Sequence, residues 1–160
     1  MRGNPEILNT KGIGIVGSRA ATHYGRSIAQ KMADSLAGRG FTIVSGMALG
    51  IDTAAHKGAL TATGMTIAVL GSGLDVIYPP GNHRLYKEIT YTGAVITEYP
   101  LGTIPDTFRF PARNRIISGL SLGVVVVEAT IRSGSLITAN HALEQGREVF
   151  AVPGGLHFVV

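Results

Sequence analysis

Gly12-Ile13-Gly14-Ile15-Val16-Gly17, followed by Ser18-Arg19, is the stretch whose reading decides the fold. The short apolar run reads as a buried strand. It also spells G-x-G-x-x-G, the pattern of a dinucleotide-binding turn. That pattern has to follow a strand and open a helix, whereas Gly12, Gly14 and Gly17 lie inside the strand itself, so the dinucleotide reading is rejected. Ser18 and Arg19 then fall at the strand's carboxyl end, where open α/β sheets bind their ligands.

Outward from this strand the same unit repeats. Tyr24–Arg39 has a helical period, with Ile28, Met32 and Leu36 four apart, Ala29 and Ala33 beside them, and Gly40 as the C-terminal stop. Further strands are predicted at Phe41–Ser45, Thr66–Leu70, Ala94–Glu98, Gly123–Ala129 and Glu148–Val152. The helices between them are predicted over Ile51 to about Thr63, Asn82 (as cap) to about Tyr91, Pro111 to about Leu122, and Ser135–Gln145. Strand starts recur about every 25–29 residues, always with a helix between. This is the alternation of an α/β fold, a three-layer, doubly wound, mainly parallel sheet of extended Rossmann-like type with right-handed crossovers.

Composition sets the outer limits. The chain has 160 residues, enough for one domain with a proper core, and no internal boundary or repeat interrupts it. Hydrophobic residues make up 45% and charged residues 15%, which excludes a disordered chain. The net charge of +4 permits a polyanionic partner without demanding one. With no cysteine, disulfides and thiolate metal sites are excluded, in keeping with a cytoplasmic location. No apolar span approaches membrane length, and Met1–Thr10 is not a signal peptide. Leu156–Val160 runs apolar with no helix to follow, so the chain is expected to be one Rossmann-like domain, 1–160, of a longer protein or a reduced form of one.

The densest chemistry lies at Phe108-Arg109-Phe110-Pro111-Ala112-Arg113-Asn114-Arg115. Pro111 suits the first position of a helix, which places Arg113 and Arg115 in its first turns. Cations there oppose the macrodipole by roughly 0.3–1 kcal/mol each, a mismatch that an anion would relieve. Guanidinium forks, an aromatic face and a positive helix start together suit a phosphate backbone with bases to stack. The competing reading pairs these arginines with Asp106, Glu98 or Glu128 as braces of the fold.

Small and polar residues mark the other strand ends, among them Gly17-Ser18-Arg19, Ser45-Gly46 and Ser133-Gly134-Ser135. They let a ligand's backbone approach helix N–H groups closely. Asp52 and His56 are four apart, like a metal pair, but lack a third ligand nearby and read first as a helix-surface pair. Ser45, Asp52 and His56 form no nucleophile-elbow pattern. Lys31, Lys57 and Lys87 read as solvated helix faces. No catalytic residue, metal or cofactor is assigned.

GIVGSR at 14–19, SGMALGID at 45–52, GSGLDVIYPPGN at 71–82, FPARNRIISGLS at 110–121 and SGSLITANHALEQGREVFAVPG at 133–154 together resemble the DNA processing protein A (DprA, or Smf) family across Lys11–Gly154. The resemblance implies a Rossmann-like domain without established catalytic activity. It implies binding of single-stranded DNA, protection of incoming strands in natural transformation, loading of the RecA recombinase and homodimerisation through this domain. It assigns DNA contacts to Ser18, Arg19, Arg109, Phe110, Arg113, Asn114, Arg115, Gly134 and Ser135, with Phe110 or a neighbour stacking on a base; Gly17, Ser45, Gly46 and Ser133, from the strand ends, complete the candidate DNA-binding set. The family's frequent extra N- and C-terminal domains have no counterpart in this sequence, and the tail after Gly155 departs from its pattern.

The runner-up is a nucleoside-monophosphate phosphoribohydrolase-like enzyme of related fold. The loop Glu128–Leu136 lacks that class's PGGxGTxxE pattern, and acid/base work would fall to Glu98 or Glu128.

Overall fold

The computed structural model describes residues 1–154. The tail Leu156–Val160 lies outside the described residues. The elements in chain order are β1 (Arg2–Gly3), β2 (Gly12–Gly17), α1 (His23–Ala37), β3 (Thr42–Ser45), α2 (Ile51–Thr61), β4 (Thr66–Val69), α3 (His83–Thr92), β5 (Ala94–Ile96), α4 (Arg109–Gly119), β6 (Ser121–Val127), α5 (Gly134–Glu144) and β7 (Glu148–Ala151). Short 3-10 turns occupy Pro5–Asn9 and Pro80–Asn82.

The strands form one sheet in the order β1-β5-β4-β3-β2-β6-β7. Every pairing is parallel except β1 with β5, so the predicted doubly wound sheet is present. The antiparallel edge β1 lies in Met1–Thr10, where composition gave no strand signal. It is two residues long, held by the register Arg2↔Val95 and Gly3↔Ala94.

Side chains alternate across the sheet, as the pleat requires. Ile15, Ile43, Val125 and Val127 face α1 and α2, while Val16, Val44, Val124 and Val126 face α4 and α5. Ala68 and Val95 pack against α3, whose Leu85, Tyr86 and Ile89 are buried. On α1 the innermost row is Gly25, Ala29, Ala33 and Ala37, with Ile28, Met32 and Leu36 only half-buried beside it. Small residues there let α1 and α2 meet closely. A Cβ on Gly58 of α2 would stand 2.2 Å from the Gln30 carbonyl oxygen of α1.

Several expected boundaries move. α4 starts at Arg109, which puts Pro111 third. Its missing N–H is still harmless there, because the first four N–H groups of a helix have no partner within it. β6 starts at Ser121 rather than Gly123. Asn82 is not a side-chain cap. Its Nδ2 turns inward and donates to the Met47 carbonyl at 2.8 Å and to Thr53 Oγ1 at 2.9 Å. Gly40 does end α1 in the left-handed region, at φ +86°, with the Phe41 N–H closing on the Leu36 carbonyl at 3.1 Å.

Candidate functional site

The chain moves outward from β2 through β3, β4 and β5, then returns to place β6 on β2's other side. Strand order therefore reverses between β2 and β6, and a crevice opens beyond the carboxyl ends of those strands. A cleft of about 440 Å³ lies there. One wall is Gly17, Ser18 and Arg19 after β2; the other is Ser133, Gly134 and Ser135 at the start of α5; Phe110, Arg113 and Asn114 of α4 line it between them.

Local sequence explains each wall. Arg19 is exposed because the chain leaves β2 into a loop. Its guanidinium lies 4.8 Å from the centroid of Phe110, a cation–π contact. Tyr78 meets the same ring at 5.7 Å, so Phe110 is half-buried between the two. Gly50, at φ +79°, brings α2's start against this loop; a Cβ there would sit 2.2 Å from the Ser18 carbonyl oxygen. The Ile51 N–H donates to that same oxygen at 3.2 Å. On the far wall, Ser133 caps α5, its Oγ accepting from the Ser135 N–H at 3.4 Å. The positive end of α5 therefore borders the crevice opposite Arg19.

The four arginines separate. Arg19 stands in the crevice. Arg109 turns to the outside of α4, its Nη1 donating to the Ile104 carbonyl at 2.6 Å and its guanidinium 4.8 Å from the Phe108 ring. Arg113 is 3% exposed. Its Nη1 donates to the carbonyls of Gly46, at 2.8 Å, and of Val69, and its Nε donates to Asn114 Oδ1 at 3.1 Å. Burial pushes its pKa down to about 10, so it stays charged at neutral pH. Asp52, buried at 7% exposure, faces it across Gly46 and accepts the N–H groups of Gly46 and Ala48 at 3.1 and 3.3 Å. Burial raises the Asp52 pKa, with Arg113 and the two N–H groups pulling the other way. Arg115 pairs with Glu98 at 2.5 Å on the surface and does not line the cleft.

Arg115 thus pairs with Glu98, one of the partners the bracing reading names, and Arg113 faces a buried partner, Asp52, that sequence did not suggest. Ser45 is fully buried and its Oγ donates to the Ile15 carbonyl at 2.7 Å. Gly46 forms the buried floor of a small slot beside Phe110. Asn114 ties the walls together, its Nδ2 donating to the Gly134 carbonyl at 3.2 Å. Tyr78 was missed; the run YPP at 78–80 reads as a turn, and nothing in it announces a ring beside Phe110.

Asp52 and His56 are not a helix-surface pair either. His56 is fully buried, with Nδ1 2.7 Å from Thr66 Oγ1. That hydroxyl gives its proton to the Ile43 carbonyl, so His56 Nδ1 donates. Burial and the nearby Arg113 charge pull its pKa from 6.5 down to about 3. Glu128, at φ +53°, takes the Thr22 N–H at 2.8 Å and the Thr22 hydroxyl, sealing the start of α1.

The model of the DNA recombination-mediator protein A family matches residues 1–158. The chain belongs to that family. It is 52% identical over 155 residues to Protein Smf of Escherichia coli, covering 96% of this chain and 41% of that protein. DNA processing protein A of Streptococcus pneumoniae superposes with a TM-score of 0.91 at 49% identity, over 98% of this chain and 55% of that one. The Helicobacter pylori protein, whose structure addresses its single-stranded DNA binding mode, superposes with a TM-score of 0.91 at 35% identity, over 98% of this chain and 72% of that one. The chain spans about a third to a half of the curated relatives it matches, 36%, 41% and 55% for three of them. A molybdenum cofactor binding protein of Rippkaea orientalis shares the fold, with a TM-score of 0.69 at 23% identity. Among the described residues, no helix is long and apolar enough to cross a membrane.

Proposed function

We propose that this chain is the single-stranded DNA-binding domain of a DNA-processing protein of natural transformation. The observation that carries the reading is the crevice at the β2/β6 reversal, with the exposed Arg19 over Phe110 on one side and the start of α5 on the other. A cation, a ring and a helix N-terminus face one trough, which suits phosphates tracked along a strand with a base set against the aromatic pair. Membership of the family and the similarity to the H. pylori protein support it. In this reading the domain is non-catalytic, works in the cytoplasm as a homodimer, shields incoming strands and helps load the RecA recombinase onto them.

The placement of Glu98 and Glu128 favours this reading over the enzymatic alternative. Glu98 is held by Arg115, Glu128 is held by Thr22, and neither lines the crevice.

The test is fluorescence anisotropy with an oligothymidine, the matching duplex and free nucleoside monophosphates. Tight binding of the single strand, weak binding of the duplex and no release of free base are expected. Equal affinity for duplex and single strand, or base release from a monophosphate, would overturn the proposal.

A further inference from the structure

A second groove runs between the first halves of α1 and α2. It has a volume of about 340 Å³ and is lined by His23, Arg26, Gln30, Leu49, Thr53 and Lys57 among others. Gln30 also lines two further clefts beside α1 and α3. The groove borders the slot that adjoins the crevice. Leu49 forms part of its rim and also lines the slot beside Arg19 and Phe110. Gly50, which also lines the groove, packs against the Ser18–Arg19 backbone at the crevice wall.

The groove itself carries Arg26 and Lys57 and no carboxylate. The exposed ionised groups of α1 and α2 are Arg26, Lys31 and Lys57 against Asp34, since Asp52 is buried beneath the crevice. Among the described residues none of the three cations is in an ion pair. Farther along, Arg84 is spent on Glu88 at 2.8 Å. The lining differs from the crevice in one respect: apart from the His23 imidazole it offers no ring on which a base could stack.

We propose that this groove is a second phosphate track, which takes the sugar–phosphate backbone of the strand as it leaves the crevice past Arg19, with the bases turned outward. The inference rests on the single-stranded DNA reading of the crevice. Cations without a stacking surface bind a backbone and ignore sequence. The track runs from Gly50 to Lys57, seven residues of α2 or about 10 Å, beyond the reach of the crevice alone. A strand that fills only the crevice would not touch it.

The experiment compares oligothymidines of about 5 and about 20 nucleotides, lengths that bracket usual single-strand site sizes. They are titrated by anisotropy at several salt concentrations against the parent, R19A, K57E and the double variant R26Q/K57E. Lys57 is exposed and free of packing, so K57E alone remains informative if loss of the Arg26 bond to the Ala21 carbonyl weakens the double variant's fold. The double variant should bind the long strand about tenfold more weakly at low salt. Its salt slope should flatten by about 1.4, two contacts at about 0.7 each, and its affinity for the short strand should match the parent's. R19A should weaken both lengths. If the parent binds both strands and K57E and the double variant match it on both, the groove is overturned while the crevice stands. If the parent binds neither strand, both readings fall together. Loss of an acidic peptide's binding in K57E with DNA binding intact would overturn the track in favour of a protein partner.

Discussion

Replacing Arg113 by methionine tests the division of labour among the arginines most directly. The substitution keeps an unbranched stem in the space but removes the guanidinium. Two buried carbonyls, Gly46 and Val69, lose a charged donor, at about 1–3 kcal/mol each. Asp52, buried and facing Arg113 across Gly46, loses its balancing cation as well. These losses overlap, and about 3–5 kcal/mol is expected in total, the range for stranding a buried charge. At about 2–4 °C per kcal/mol for a chain of this size, the melting temperature should drop by about 6–20 °C. The loss should also depend on pH. Asp52 already has a raised pKa in the folded state, and removing Arg113 raises it further. A group raised above its unfolded value stabilises fully below that value and loses its contribution as pH rises through the folded one. The variant should therefore fall further behind the parent at pH 8 than at pH 5. Adding Asp52→Asn should restore much of the loss, because a buried charge is then no longer left alone. Calorimetry at the two pH values measures all three effects. A melting temperature within 2 °C of the parent's, with only the salt dependence of DNA binding altered, would refute the reasoning and return Arg113 to the ligand.

Three further outcomes are expected. Gly50→Ala forces a Cβ into the left-handed region and against the Ser18 carbonyl oxygen at 2.2 Å. It should cost about 1–3 kcal/mol in thermal unfolding and weaken oligothymidine binding by displacing Arg19; unchanged affinity would break the link between Gly50 and the crevice wall. His56, held near pKa 3 in the fold against an ordinary 6.5, contributes stability above pH 6.5 that is lost as pH falls toward 3, at up to about 1.4 kcal/mol per unit. Melting curves of the parent should show that slope and those of His56→Gln should not; parallel curves would reject the neutral buried ring. Arg19→Ala should leave the melting temperature alone and flatten the salt slope by about 0.7, whereas Arg115→Ala, breaking an exposed pair with Glu98, should change stability by at most about 1 kcal/mol and leave the slope in place. Equal slopes for the two variants would contradict their separation.

The alternation of strands and helices and the polar rim at the strand ends were legible along the chain, because hydrophobic period and glycine placement are local signals, whereas the reversal of strand order between β2 and β6 is set by tertiary pairing. Gly12–Gly17 is the strand expected of it, and Ser18-Arg19 stands where such a strand presents a ligand site. The short edge β1 was illegible, since two residues carry no period and only the free edge of β5 defines them. The inward turn of Asn82 was equally hidden, because its acceptors, Met47 and Thr53, come from another part of the chain.

Sequence alone placed Arg113 and Arg115 together in the first turns of one helix and read both as ligands for DNA, although residues two apart on a helix do not share a face. Which of them goes inside was decided by tertiary structure. α4 lies across the ends of β3 and β4, where the Gly46 and Val69 carbonyls and the Asp52 carboxylate supply, in one buried spot, the acceptors and the charge that a guanidinium needs once water is removed. Arg19 met no such set of acceptors and stayed in solvent at the crevice, because the loop after β2 sets it above the Phe110 ring rather than beneath the sheet.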